Sequence, residues 1–155
     1  MFLRRGHAYV YFSYGNHFML NISAEAAGVG GGVLIRALEP LEGIAQMQVH
    51  RRTLELVDLT RGPGRLAAAL RIDRSLDGVD VCAPGPLWLG VVARPKSCLT
   101  RSLGEVSVEA LAARRRANLV VRKSTRIGIR RAAHRLLRFY ERGSPFVSGP
   151  ARLRS

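Results

Sequence analysis

Arg36 stands where an arginine is expensive. The segment Val33-Leu34-Ile35-Arg36-Ala37-Leu38 is otherwise apolar, the pattern of a strand buried on both faces. A guanidinium in such a strand needs a carboxylate or a phosphate-like ligand, because an unpaired buried charge is costly. Glu39 and Glu42 are near enough in sequence to supply a structural ion pair, so an ion pair and an anion site both stand open. The same two carboxylates flank a helix start after Pro40, where the helix dipole accounts for them better than general-base chemistry does. A second phosphate-like site is written in Arg61-Gly62-Pro63-Gly64-Arg65, a tight turn running into the helix former Leu66-Ala67-Ala68-Ala69-Leu70. Free first-turn amides there suit a backbone phosphate, and an ordinary loop-to-helix junction is the alternative. Cys82 and Cys98 have no Cys or His at ligand spacing, so the chain is expected to need no metal, no disulfide framework and no other cofactor.

These residues must be held by a scaffold. Residues 7 to 14 alternate, with His7, Tyr9, Tyr11 and Ser13 on one face and Ala8, Val10, Phe12 and Tyr14 on the other. Gly15-Asn16 tolerates positive φ, and His17 to Ser23 resumes the alternation with Phe18, Leu20 and Ile22 apolar, which predicts a β-hairpin. By periodicity alone Tyr9 and Tyr11 are core aromatics. The glycine cluster Gly28 to Gly32 lacks dinucleotide-fingerprint spacing and a following helix, so it is a loop. Glu42 to Val57 is predicted as one helix through Ile44, Met47 and Leu54, with Arg51-Arg52 solvated. Leu87 to Val92 is predicted as a strand around Trp88, and residues 94 to 126 as irregular apart from a short helix from Val108 to Asn118. Ala132, Ala133, Leu136, Leu137 and Tyr140 fall at helical offsets, and the tail at 149–155 frays.

With 155 residues, 47% hydrophobic and 23% charged, the chain suits one folded domain and is a poor candidate for intrinsic disorder. No apolar run reaches the ~18 residues of a membrane helix, so an intracellular, cytoplasmic monomer with no membrane partner is expected. The net charge of +14 is uneven. Residues 1 to 93 hold nine basic and eight acidic side chains, whereas residues 94 to 155 hold sixteen and three. Such a block is the footprint of a polyanion partner, and a solvated arginine-rich face is the bland alternative.

Four segments in order, GHAYVYFSYGNHFMLN, VLIRALEPLEG, GPGRLAAALRID and RIGI…RFYERGSPFVS, resemble the alkyladenine (3-methyladenine) DNA glycosylase family of base-excision repair enzymes. The resemblance covers most of residues 6 to 92 and 126 to 148, and the stretch 95–125 stands outside it as a basic insertion. It implies an α+β fold: a single compact domain over residues 1 to 148 with a curved antiparallel sheet, flanking helices and a protruding DNA-intercalating β-hairpin. The implied partner is double-stranded DNA carrying alkylated or deaminated purines, with nucleoid association if the source is bacterial. Tyr14 at the hairpin tip matches the minor-groove wedge that fills the stack after a nucleotide is extruded. Asn16 stands at a DNA-contacting position where the family often carries an apolar residue. Tyr9 and Tyr11 become base-pocket residues, with Tyr11 stacking on the flipped purine, and Asn21 matches the position that senses its exocyclic group. Arg36 matches the arginine that holds the 3′ phosphate and the attacking water, and the backbone carbonyl of Ile127 matches another contact of that water. Arg51, Gly62, Gly64, Arg65 and Arg74 match backbone-phosphate positions, which set register and affinity rather than selectivity.

The reaction implied is hydrolysis of an N-glycosidic bond, which requires a base to take a proton from the attacking water. In the family that base is a glutamate in a strand upstream of the GHAYVY motif, and this chain begins too late to contain it. A truncated or misassigned start is therefore expected, and the chain as written is expected to bind DNA weakly and cleave nothing. A non-catalytic basic DNA-binding remnant and a basic RNA-binding protein are the alternatives. With only Lys96 and Lys123 present, no lysine nucleophile for strand cleavage is evident.

Overall fold

In the computed structural model, residues 1–13, 15–90 and 120–150 are described. Antiparallel strands and helices occupy separate runs of the chain, which makes it α+β as the sequence predicts. Contacts gather it into two compact units, Met1–Gly90 with Pro145–Ser148, and Val91–Ser144 with Gly149–Ser155.

The first unit is built on a three-stranded antiparallel sheet of β1 (Ala8–Ser13), β2 (His17–Ser23) and β3 (Gly32–Leu34), in that order. The predicted alternation holds: Ala8 pairs with Ile22, Tyr9 with Asn21, Val10 with Leu20 and Tyr11 with Met19. Because neighbouring side chains in a strand take opposite faces, Ala8, Val10 and Leu20 share one face, and these three are buried in the core. The outer edge of β1 is also occupied. The Ala8 amide donates to the Val79 carbonyl (2.8 Å) and the Val81 amide to that of Gly6 (2.8 Å), while the Val10 amide donates to Asp77 Oδ1 at 2.8 Å.

Three short helices follow, α1 (Ile44–Arg51), α2 (Leu56–Thr60) and α3 (Pro63–Ala69). Proline in the first turn of α3 needs no amide partner, and Leu66 and Ala67 bring its apolar side to the core beside Val10, Leu20, Ile72 and Val81. Gly64 permits the close approach: a Cβ there would lie 2.8 Å from the His17 ring. The second unit contains β4 (Val121–Ser124) paired antiparallel with β5 (Arg138–Glu141), Lys123 lying opposite Phe139.

Four local expectations are corrected. The single helix over 42–57 is two, because Arg52 turns into the left-handed region (φ 51°) after α1, a helix that buries no residue and so has no packing to extend it. The doubly buried strand 33–38 is a three-residue edge strand in which Val33 is 57% exposed; apolar composition alone does not distinguish an edge from a centre. Leu87–Gly90 forms no strand and Trp88 is exposed. The helical offsets after Arg126 give turns and β5, since Ala132 is left-handed (φ 51°) and pairing with β4 prevails over local spacing. The helix expected over 108–118 and the tail 151–155 lie outside the described residues.

Leu66 is fully buried and Leu54 is 82% exposed. Leu66→Ala is expected to cost about 2–5 kcal/mol of unfolding free energy and Leu54→Ala less than ~0.5 kcal/mol, compared by urea denaturation.

Candidate functional site

The sheet of the first unit has a second face, and four of the residues singled out by sequence come together on it. Tyr9 and Tyr11 follow one another on β1 with ring centroids 5.4 Å apart and planes tilted by 30°. Asn21 stands opposite Tyr9 in register and is nearly buried, and its Nδ2 donates to the Tyr9 carbonyl at 3.2 Å, which orients the amide. The Ile35 amide still donates to the Leu20 carbonyl (3.0 Å), carrying the β2–β3 register one residue past the strand. Ile35 packs against the core, so the pleat sends Arg36 to the tyrosine face.

Arg36 has a buried Nε without a hydrogen-bond partner. Arg36 takes no part in the ion pairs Arg4–Asp80, Arg61–Asp58 and Arg65–Asp58 of the described residues. That donor remains available to a ligand or to water, as do the Nε groups of Arg51 and Arg126. The face can therefore present two flat aromatic surfaces, an oriented amide and a cation with an unspent donor, a set suited to a planar polar ring attached to an anion.

The remaining expected site residues are more scattered. Asn16 is exposed in the β1–β2 connection, its amide 3.4 Å from the Ser13 carbonyl, and Tyr14 lies outside the described residues. Arg51 closes α1 and, like Arg36, has a buried Nε without a partner. Gly62 precedes α3 at φ 146° and Gly64 is buried beneath His17. Arg65 is half exposed and bonded to Asp58 at 2.8 Å, and Arg74 opens an exposed 3₁₀ turn. Ile127 belongs to the second unit, where it is 39% exposed beside Gly149.

Sequence reasoning missed Met19, which is buried on the tyrosine face opposite Tyr11 and was legible only as its cross-strand partner. It also missed Asp58. One carboxylate oxygen accepts from Arg61 Nη2 at 2.6 Å and from Arg65 Nη1 at 2.8 Å, which places two arginines at the start of α3. The i,i+3 spacing of Asp58 and Arg61 was the available signal.

Residues 1–145 match the methylpurine-DNA glycosylase family, and the chain belongs to it. Relatives named "Putative 3-methyladenine DNA glycosylase" include that of Mesorhizobium japonicum, 55% identical over 99% of this chain and 63% of its own length. That of Paraburkholderia phytofirmans is 46% identical over 99% of this chain and 62% of its length, and that of Methanoculleus marisnigri 40% identical over 96% and 67%. The chain spans about three fifths of the first two.

Partial desolvation pushes the Asp58 carboxyl up, but the hydrogen bonds and charges of Arg61 and Arg65 outweigh it and hold the carboxyl below its ordinary value of 3.8. A depressed folded-state value means that the clamp stabilises the protein above the unfolded value and is lost as pH falls through the folded one. Carboxyl NMR titration is expected to put the Asp58 midpoint below 3.8, and Arg61→Gln to move it upward; a midpoint unmoved by that substitution would show that the guanidinium does not hold it.

Proposed function

We propose that this chain is the damage-reading part of a DNA glycosylase that extrudes alkylated or deaminated purine nucleotides from duplex DNA and serves hydrolysis of their N-glycosidic bond. The observation that carries this is the buried, unpartnered Nε of Arg36 on the face that also holds Tyr9, Tyr11 and Asn21. A base inside the stack is out of reach, so the nucleotide must leave it. In this reading Tyr14 enters the gap with Asn16 beside it, and Tyr11 stacks on the purine against the second ring of Tyr9. Asn21 discriminates the exocyclic group, because an oriented amide matches only one donor–acceptor pattern. Arg36 holds the 3′ phosphate and the attacking water. Arg51, Arg65, Arg74 and the Gly62 to Gly64 turn hold backbone phosphates and set register.

Water attacks the anomeric carbon as the bond to the purine nitrogen breaks. The bonding pair leaves with the purine nitrogen, which neutralises a cationic alkylated base, while a neutral deaminated purine takes up a proton from water; the attacking water gives its proton to a carboxylate, and the products are free base and an abasic site with both strands intact. In this reading the base belongs to the part of the relatives' length that this chain does not span.

Binding tests this with the chain alone. A duplex holding one abasic-site analogue is expected to bind about tenfold more tightly than the intact duplex. Arg36→Gln is expected to remove most of that preference, since a hydrogen bond to a charged group contributes ~1.5–3 kcal/mol. Equal affinity of the unsubstituted chain for both duplexes would reject the proposal. Base release, read as alkali-labile breaks at a methylated purine, is expected only when the chain is joined to the unmatched segment of the Mesorhizobium japonicum relative.

A further inference from the structure

Apart from Ile127, the most cationic described stretch plays no part in the site above. Residues 120–142 hold eight arginines and lysines against a single acidic residue, Glu141. Arg122, Lys123, Arg130, Arg131, Arg135 and Arg142 are exposed. We propose that the β4–β5 ribbon and the turn joining its strands form a second DNA-contacting surface, one that takes the phosphate backbone of undamaged duplex rather than a flipped base. This rests on the reading that the partner is DNA, and adds to it a surface for search and retention.

Two structural features argue that this is more than a solvated charge run. The first is that the turn is built. Arg126 is turned inward, its Nη2 donating to the Arg131 carbonyl at 2.7 Å and lying 3.5 Å from that of Ala132. The Arg135 amide then donates to the Ala132 carbonyl (3.2 Å) and the Leu137 amide to that of Arg135 (2.9 Å). One arginine is thus committed to fixing the backbone that carries Arg130, Arg131 and Arg135. Gathering like charges opposes folding, so an ordered cationic turn is better matched by a polyanion than by water. Arg130, Arg131 and Arg135 take no part in the ion pairs Arg4–Asp80, Arg61–Asp58 and Arg65–Asp58 of the described residues.

The second feature is the face of the ribbon. Phe139 is 59% exposed, and the Lys123 ammonium lies 5.4 Å from its ring centroid, directly across the strand pair. Val121 shares that face by register and is also exposed. The ring fixes where the ammonium sits. An ammonium over an apolar plate suits a phosphate with its adjoining deoxyribose, a contact that carries no sequence information. Contacts of this kind are independent of sequence and lesion, and they release counterions.

Fluorescence anisotropy of the full chain with a labelled undamaged duplex, across a salt series, tests the surface. Arg130→Ala/Arg131→Ala/Arg135→Ala is expected to flatten the slope of log affinity against log salt by about 2–3, close to one unit for each phosphate that is no longer neutralised. Phe139→Ala, at an exposed position, is expected to weaken binding several-fold with less change of slope. In both variants the ratio of abasic to intact duplex affinity stays within about twofold of the unsubstituted chain, since lesion reading lies elsewhere. Far-UV circular dichroism checks that the variants fold. A triple variant that folds and keeps the full slope overturns the proposal, as does a loss confined to structured RNA with duplex binding unchanged. If the unsubstituted chain shows no lesion preference but the triple variant flattens the slope, the damage-reading proposal fails and this one stands.

Discussion

The pairing of β1 with β2 is the constraint on which the rest depends. Its register puts Ala8, Val10 and Leu20 against α3 and leaves Tyr9, Tyr11, Met19 and Asn21 on the opposite face. A slip of one residue would exchange the faces, burying tyrosine rings and an amide against Leu66 and exposing the core. The register is held from both sides. Asp77 Oδ1 and the Val79 carbonyl take the outward amides of Val10 and Ala8, and the missing side chain of Gly64 lets α3 settle under His17. Packing and recognition therefore come from a single alternation, which is why residues so close in sequence serve different ends.

Charge is divided along the same lines. In the first unit basic and acidic residues nearly balance, and the arginines are placed individually: Arg61 and Arg65 by Asp58, and Arg36 by the strand it follows. Their value lies in position, as with any group that must meet one phosphate or one water. Among the described residues of the second unit most cations are exposed, and order comes from Arg126 bonding carbonyls of the turn. The first arrangement suits discrimination, the second affinity.

How much was legible in the sequence follows from how local each cause is. The β1–β2 strands and their faces were readable because alternation is a property of neighbours. The oddity of Arg36 was readable because one charge interrupted an apolar run, although the run proved to be an edge strand with Val33 exposed. What could not be read depended on partners distant in the chain. The Asp77 bond to Val10 spans 67 residues, and β5 forms because β4 lies beside it, against helical offsets in its own sequence. The break at Arg52 was hidden for a different reason: α1 lacks the buried side that would have continued it. The family motifs pointed to Tyr9, Tyr11, Asn21 and Arg36 one by one, whereas the second arginine of the Asp58 clamp, Arg65, lies seven residues away and became visible only in the fold.

The central claim is that Arg36 keeps a buried donor for an anion presented by damaged DNA. The most direct measurement is the ¹⁵N–¹H signal of Arg36 Nε, assigned by loss in Arg36→Lys and followed while a duplex with an abasic-site analogue is added. The account predicts a marked shift with that duplex and little change with the intact duplex at equal saturation. An Nε signal that responds to neither, while the protein binds both, would contradict it.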